Sequence, residues 1–144
     1  MKNEVSTLNG LAKLREGDII KCNEFTKEYG LILSPEDVKI IISAREEALE
    51  NNGRVEFGGT VPNKIITKFC DSPYIVQKNY VEIITKLIDL FYYYKNETLE
   101  LIGDDMLIDL MYEYFSNIGK GSLEIVEREL DKIRYNMHMG KKSI

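Results

Sequence analysis

Between residues 80 and 94, apolar side chains leave little room for polar ones. Val81, Ile84, Ile88 and Phe91 follow one helical row, and Tyr80, Ile83, Leu87, Leu90 and Tyr94 follow another. Polar groups are confined to a narrow stripe of Glu82, Lys86, Asp89 and Tyr93. A helix that is apolar over most of its circumference belongs inside a bundle. This segment is therefore the expected central helix, opened by Asn79 with Glu82 three residues on.

Similar patterning predicts the other elements. Asn23 is read as the cap of a short helix that ends at Gly30. Ser34 and Asp37 have capping-box spacing and open a helix to Asn51 or Asn52, with Gly53 as terminator. Pro35, Pro62 and Pro73 are all read as helix starts, because proline is tolerated in the first helical turn. A helix follows over about 62–70 with Ile65, Ile66 and Phe69 inward, then one further turn over 72–78. Asp104 is read as the cap of a helix over 105–117, with Leu107, Leu110, Met111, Tyr114 and Phe115 inward. Gly119 and Gly121 mark a turn, and Ser122 opens a last helix on the stripe Leu123, Val126, Leu130, Ile133 and Met137. Only Arg54 to Phe57 alternate as a strand does, and no second strand pairs with them. The predicted fold is all-α, a compact irregular bundle of five to six helices with one extended segment near residues 54–60. It forms one domain over 1–144, with 1–20 as a loosely docked arm and 138–144 as a frayed tail.

Composition narrows the function more than it identifies it. The 144 residues are 44% hydrophobic and 30% charged, an ordinary globular balance that needs no metal or disulfide to fold. Two cysteines are too few for a secretory disulfide framework. No leader pattern and no membrane-length apolar run is present, so a cytoplasmic location is expected. The net charge is −5, and ten acids between Glu97 and Asp131 face only Lys120 and Arg128. That field repels nucleic acid and anionic membrane, and neither is expected as a partner.

Catalytic signatures are scarce. The chain has no phosphate loop, dinucleotide fingerprint, nucleophile elbow or His-Glu-x-x-His motif. His138 is the sole histidine, and Cys70 falls at a helix C-terminal end, where nothing activates a thiol. No catalytic residue, metal site or cofactor is expected. Asp105, Asp109 and Glu113 set three carboxylates on one helix face, a solvated stripe unless a cation or a basic partner meets it. Glu127 and Asp131 are the carboxylates that could join them.

Two further features stand out. Tyr92, Tyr93 and Tyr94 point three ways around one turn, so they cannot all be core. Tyr92 and Tyr93 are the candidate interface, with Tyr93 on the polar stripe. Arg45 lies within the apolar arc of Val38, Ile41, Ile42, Ala48 and Leu49, so its guanidinium needs a carboxylate or a route to water. Glu56 and Asp71 are its expected partners. Together with Arg54 they form a candidate polar cluster, either structural or ligand-binding.

The segments Tyr29-Gly30-Leu31, Arg54-Val-Glu-Phe-Gly-Gly, Phe69-Cys-Asp-Ser-Pro-Tyr-Ile, Phe91-Tyr-Tyr-Tyr-Lys-Asn-Glu, Asp104-Asp105 and Gly121-Ser122-Leu-Glu carry a resemblance. Over about residues 20–130 the chain resembles an uncharacterised family of small Firmicutes proteins known only as a domain of unknown function. The resemblance implies no activity. Two readings stay open, and enzymatic activity is undecided between them. The first is a noncatalytic accessory or protein-interaction domain, in contact with a protein partner or with its own copies. The second is a small enzyme or ligand-binding protein using Arg45, Arg54, Glu56 and Asp71. A DNA-binding regulator ranks below both, for want of a basic recognition face.

Overall fold

The computed structural model describes residues 16–56 and 58–140. Most of the arm expected over 1–20 and residues 141–144 of the expected tail lie outside the described residues. Residues 16–21 are helical (α1), followed by α2 (Asn23–Thr26) and a 3-10 turn, Lys27–Tyr29. Then come α3 (Pro35–Asn51), α4 (Thr60–Phe69) and α5 (Tyr80–Glu97). α6 (Asp104–Glu113) runs into a π-helical turn, Tyr114–Ile118, and α7 (Leu123–His138) closes the described chain. No strand occurs among the described residues, and 54–56 and 58–59 link α3 to α4 without a ladder. The protein is an all-α bundle.

The central position of α5 follows from its apolar coverage. Ile84, Leu87 and Ile88 are fully buried and Phe91 is 1% exposed. α3, α4, α6 and α7 all touch α5, and α3 runs along much of its length. Burying each such side chain is worth about 1.5–3 kcal/mol against leaving it in water. The facing rows are Val38, Ile41 and Ala48 of α3, Val61, Ile65 and Phe69 of α4, Leu107 and Met111 of α6, and Val126 and Leu130 of α7.

α3 and α5 run side by side in the same direction. At their starts the Gln77 amide donates to the Ile32 carbonyl and accepts from its N–H, both at 2.8 Å. Further along, Arg45 and Tyr92 meet on Glu56.

Ser34 and Asp37 form the expected capping box, and Gly30 and Gly53 take left-handed backbone (φ 78° and 62°). Other expected caps are used differently. Asn23 does not cap α2; its amide exchanges two 2.8 Å hydrogen bonds with the Leu33 backbone, fastening α2 to the segment before α3. Asn79 accepts from the Val76 N–H and donates to the Tyr74 carbonyl, so it folds the preceding turn instead of capping α5. Pro73 starts no helix. The Ser72 hydroxyl accepts the Tyr74 N–H, and such side-chain bonds offer the backbone an alternative to helix. α4 begins at Thr60, placing Pro62 third, where an N–H would still lack a helical partner. Asp104 is the first residue of α6 rather than its cap, and Ser122 precedes α7 without a side-chain cap bond. The helix expected over 105–117 is α-helical only to Glu113. The π turn then closes through Gly119 N–H to Tyr114 O at 2.7 Å, where a Cβ would meet that oxygen.

Candidate functional site

Arg45 is 2% exposed. Its Nη2 donates to Glu56 Oε1 at 3.1 Å, to the Glu56 carbonyl at 3.0 Å and to the Gly58 carbonyl at 2.6 Å. The Tyr92 hydroxyl donates to the same Glu56 Oε1 at 2.7 Å. Burial, then the bond to Glu56, pushes the Tyr92 hydroxyl well above the usual tyrosine range. Glu56 thus ties the α3–α4 link to both α3 and α5. The other two members of the expected cluster lie elsewhere. Arg54 pairs with Glu100 at 2.8 Å, and Asp71 accepts the Tyr112 hydroxyl of α6 at 2.8 Å. The four residues make three separate contacts rather than one pocket.

The tyrosine run divides by depth. Tyr92, expected at an interface, is fully buried, because its hydroxyl finds an acceptor within the fold. Tyr94 is 1% exposed and donates to Asp131 at 2.6 Å and to the Glu127 carbonyl at 3.1 Å. Only Tyr93 reaches the surface, at 40% exposure. The Asp131 carboxylate therefore faces Tyr94 rather than the acidic stripe of α6.

That stripe is met by lysines of the same chain. Lys64 and Lys68, one turn apart on α4, pair with Asp105 at 2.9 Å and Asp109 at 3.1 Å. Glu113 accepts from the Asn117 amide. All three carboxylates stand at the surface, and among the described residues no cluster of three or more His, Cys, Asp or Glu is placed to hold a metal. Cys22 and Cys70 are free, and burial raises both thiols, the direction that removes nucleophilicity. The ring of His138 sits 2.9 Å from the Glu97 carbonyl.

One feature lies outside the expected sites. α5 ends in a Schellman turn, in which Glu100 N–H bonds the Lys95 carbonyl and Leu99 N–H bonds the Asn96 carbonyl, both at 3.0 Å. The left-handed position belongs to glycine in most such turns, yet here Leu99 (φ 56°) and Glu100 (φ 58°) both occupy that region. Each such residue costs about 1–2 kcal/mol. The turn is nonetheless firmly built. Lys95, 8% exposed, donates to the Ile102 carbonyl at 2.6 Å and pairs with Asp104 at 2.8 Å. The Thr98 hydroxyl donates to the Tyr94 carbonyl at 2.6 Å. Two of its outward side chains are apolar, with Leu99 and Leu101 each 71% exposed. The Arg54–Glu100 pair brings the neighbouring Val55, 81% exposed, to the same end. Two leucines flanking Glu100 just past a helix, with no glycine or asparagine to take the turn, were the sequence signal for this site.

The model of a family of unknown function (DUF6323) matches residues 18–143. The chain belongs to this family. The match spans every described helix except the first residues of α1. No curated protein and no solved structure matches this family member.

Proposed function

We propose that the protein is a noncatalytic interaction domain whose contact surface is the end of the bundle carrying Leu99, Leu101 and Val55. The strained turn at Leu99 and Glu100 carries this reading. Backbone strain persists where the surrounding structure overdetermines it, and it clusters at functional positions. Here the turn also holds Leu99 and Leu101 in water, exposed apolar surface that a partner would cover. Tyr135 and Met139, each 60% exposed, extend the apolar character along the end of α7, which His138 fastens to Glu97.

Glu97 and Glu100 beside the leucines are already met by Arg134 and Arg54, so a complementary partner is a protein surface with an apolar groove. A small-ligand role for Arg45 and Glu56 has less support, since both are engaged with each other, Tyr92 and the Gly58 carbonyl. A cytoplasmic setting accords with two free cysteines and with the lack of a described helix long and apolar enough to cross a membrane. The Firmicutes setting rests on the sequence resemblance alone.

The test is capture from a native extract by the wild-type chain and by Leu101→Asp, at matched folded concentration. A partner retained by the wild type and lost by at least about tenfold with Leu101→Asp supports the reading. Equal retention by both chains overturns it, and so does the absence of any retained partner.

A further inference from the structure

Cys22 is the first residue past α1, and Cys70 is the first past α4. The Cys22 Sγ lies 3.8 Å from the Asp18 carbonyl, and the Asn63 amide of α4 donates to that same oxygen at 3.5 Å. Cys22 therefore stands on the side of α1 that meets α4. On α4, Asn63, Thr67 and Cys70 share one face at helical spacing, and the Cys70 Sγ lies 3.2 Å from the Thr67 carbonyl. The segments that leave the two helices also meet. Ile32, beyond Cys22, and Gln77, beyond Cys70, exchange two hydrogen bonds at 2.8 Å. The cysteines thus occupy matching ends of neighbouring helices, with one contact ahead of them and another behind. Burial raises the Cys70 thiol, and the Asp71 carboxylate and the Cys22 thiol add to it. The fully buried Tyr80 hydroxyl, pushed up to about 12 by burial, feels both thiols as well.

We propose that Cys22 and Cys70 form a redox modification site, closed by a low-molecular-weight disulfide into an internal disulfide that pins the end of α1 to the end of α4. Their exposures divide the roles. Cys22 is partly exposed and meets the oxidant, whereas Cys70 is 3% exposed and is shielded from it. The Cys22 thiol loses its proton to water, and its sulfur attacks one sulfur of the small disulfide. The old S–S bond breaks and one small thiolate leaves. Cys70 then gives up its proton and attacks the Cys22 sulfur of this mixed disulfide, releasing the second small thiolate. Both leaving thiolates take up a proton. Two protein thiols are oxidised and one small disulfide is reduced to two thiols.

Burial sets the character of the site. Both thiols are raised, so few are ionised at neutral pH and the first attack is slow. A raised thiol is also a poor leaving group, so the finished bond resists exchange. The bond closes a loop that contains α2 and α3 and restricts the unfolded chain more than the folded one. This inference does not rest on the Leu99 turn.

The test is incubation of the reduced full chain with oxidised glutathione, followed by intact mass and thiol labelling without reductant. The wild type is expected to lose two hydrogen atoms and both reactive thiols, and to yield one linked peptide pair holding Cys22 and Cys70. Its thermal midpoint should rise and return on reduction, and its rate of closure should increase about tenfold per pH unit below the thiol pKa. Cys70→Ala should halt at glutathione bound to Cys22. Cys22→Ala should leave Cys70 unmodified over the same time. A wild-type chain that halts at the mixed disulfide, stays reduced or links only between chains overturns the proposal. So does a midpoint that falls on closure, which would show that the thiols must leave their folded positions to join.

Discussion

Arg45 and Glu56 meet at 3.1 Å, Nη2 to Oε1, with the arginine side chain 3% exposed and the glutamate 23%. The pair joins the middle of α3 to the non-helical link that follows it, and Tyr92 adds α5 to the same carboxylate. Removing the carboxylate strands a buried cation and leaves the Tyr92 hydroxyl without its acceptor, so Glu56→Ala is expected to cost about 2–4 kcal/mol. Arg45→Met removes the charge along with its need for a partner and leaves the Glu56–Tyr92 bond in place. The expected cost is smaller, about 1–2 kcal/mol, because the Glu56 and Gly58 carbonyls lose a donor. Chemical denaturation of the two variants measures the asymmetry. A larger loss for Arg45→Met than for Glu56→Ala would show that the guanidinium, and not the carboxylate, organises the clasp.

Alkaline pH should loosen the core through its tyrosines. Burial raises the hydroxyls of Tyr80, to about 12, and of Tyr92 and Tyr94 further still. Their folded pKa values exceed the unfolded value near 10, so above that pH the unfolded chain releases protons that the folded chain retains. Stability from these groups is complete below about pH 10 and declines as pH rises toward the folded values. Denaturation midpoints followed through that window, with phenolate absorbance alongside, should fall from about pH 10 upward, before the buried hydroxyls ionise in the folded chain. A midpoint that stays flat past the first phenolate signal contradicts this.

The acidic stripe of α6 should matter little to folding. Asp105 and Asp109 are mostly exposed, with side-chain exposures of 78% and 62%, and their lysine partners are exposed as well. Surface pairs of this kind contribute about 0–1 kcal/mol. Asp109→Asn combined with Glu113→Gln is expected to shift stability by less than about 1 kcal/mol in either direction. A large loss in metal-free buffer would give the stripe a structural role that its solvent exposure does not.

Much of this architecture was legible in the pattern of apolar residues, because helical burial repeats along a single segment. The two apolar rows of residues 80–94 identified the central helix, and Arg45 on an apolar arc identified a buried cation with Glu56 among its partners. Capping was less legible. Asn23 and Asn79 have ordinary cap chemistry, but their amides bond to Leu33, Val76 and Tyr74, contacts set by how the chain folds back. Depth around a helix turn was also hidden. Tyr92 is buried because Glu56 approaches from another segment, a fact of tertiary packing that periodicity does not contain. The Lys64–Asp105 and Lys68–Asp109 ladder likewise depends on α4 lying beside α6.

The Leu99 turn carries the central claim, that backbone strain is held at the end of α5 in order to present a contact surface. Leu99→Gly tests it most directly, because glycine adopts φ 56° without steric cost and leaves the Schellman hydrogen bonds unchanged. Relief of about 1–2 kcal/mol of strain, less the entropy that glycine adds to the unfolded chain, should raise the unfolding free energy by about 0.5–1 kcal/mol. Chemical denaturation of Leu99→Gly beside the wild type measures this. A gain in stability is the predicted result; a loss would mean that Leu99 serves the fold itself, and the account of a strained display turn would be contradicted.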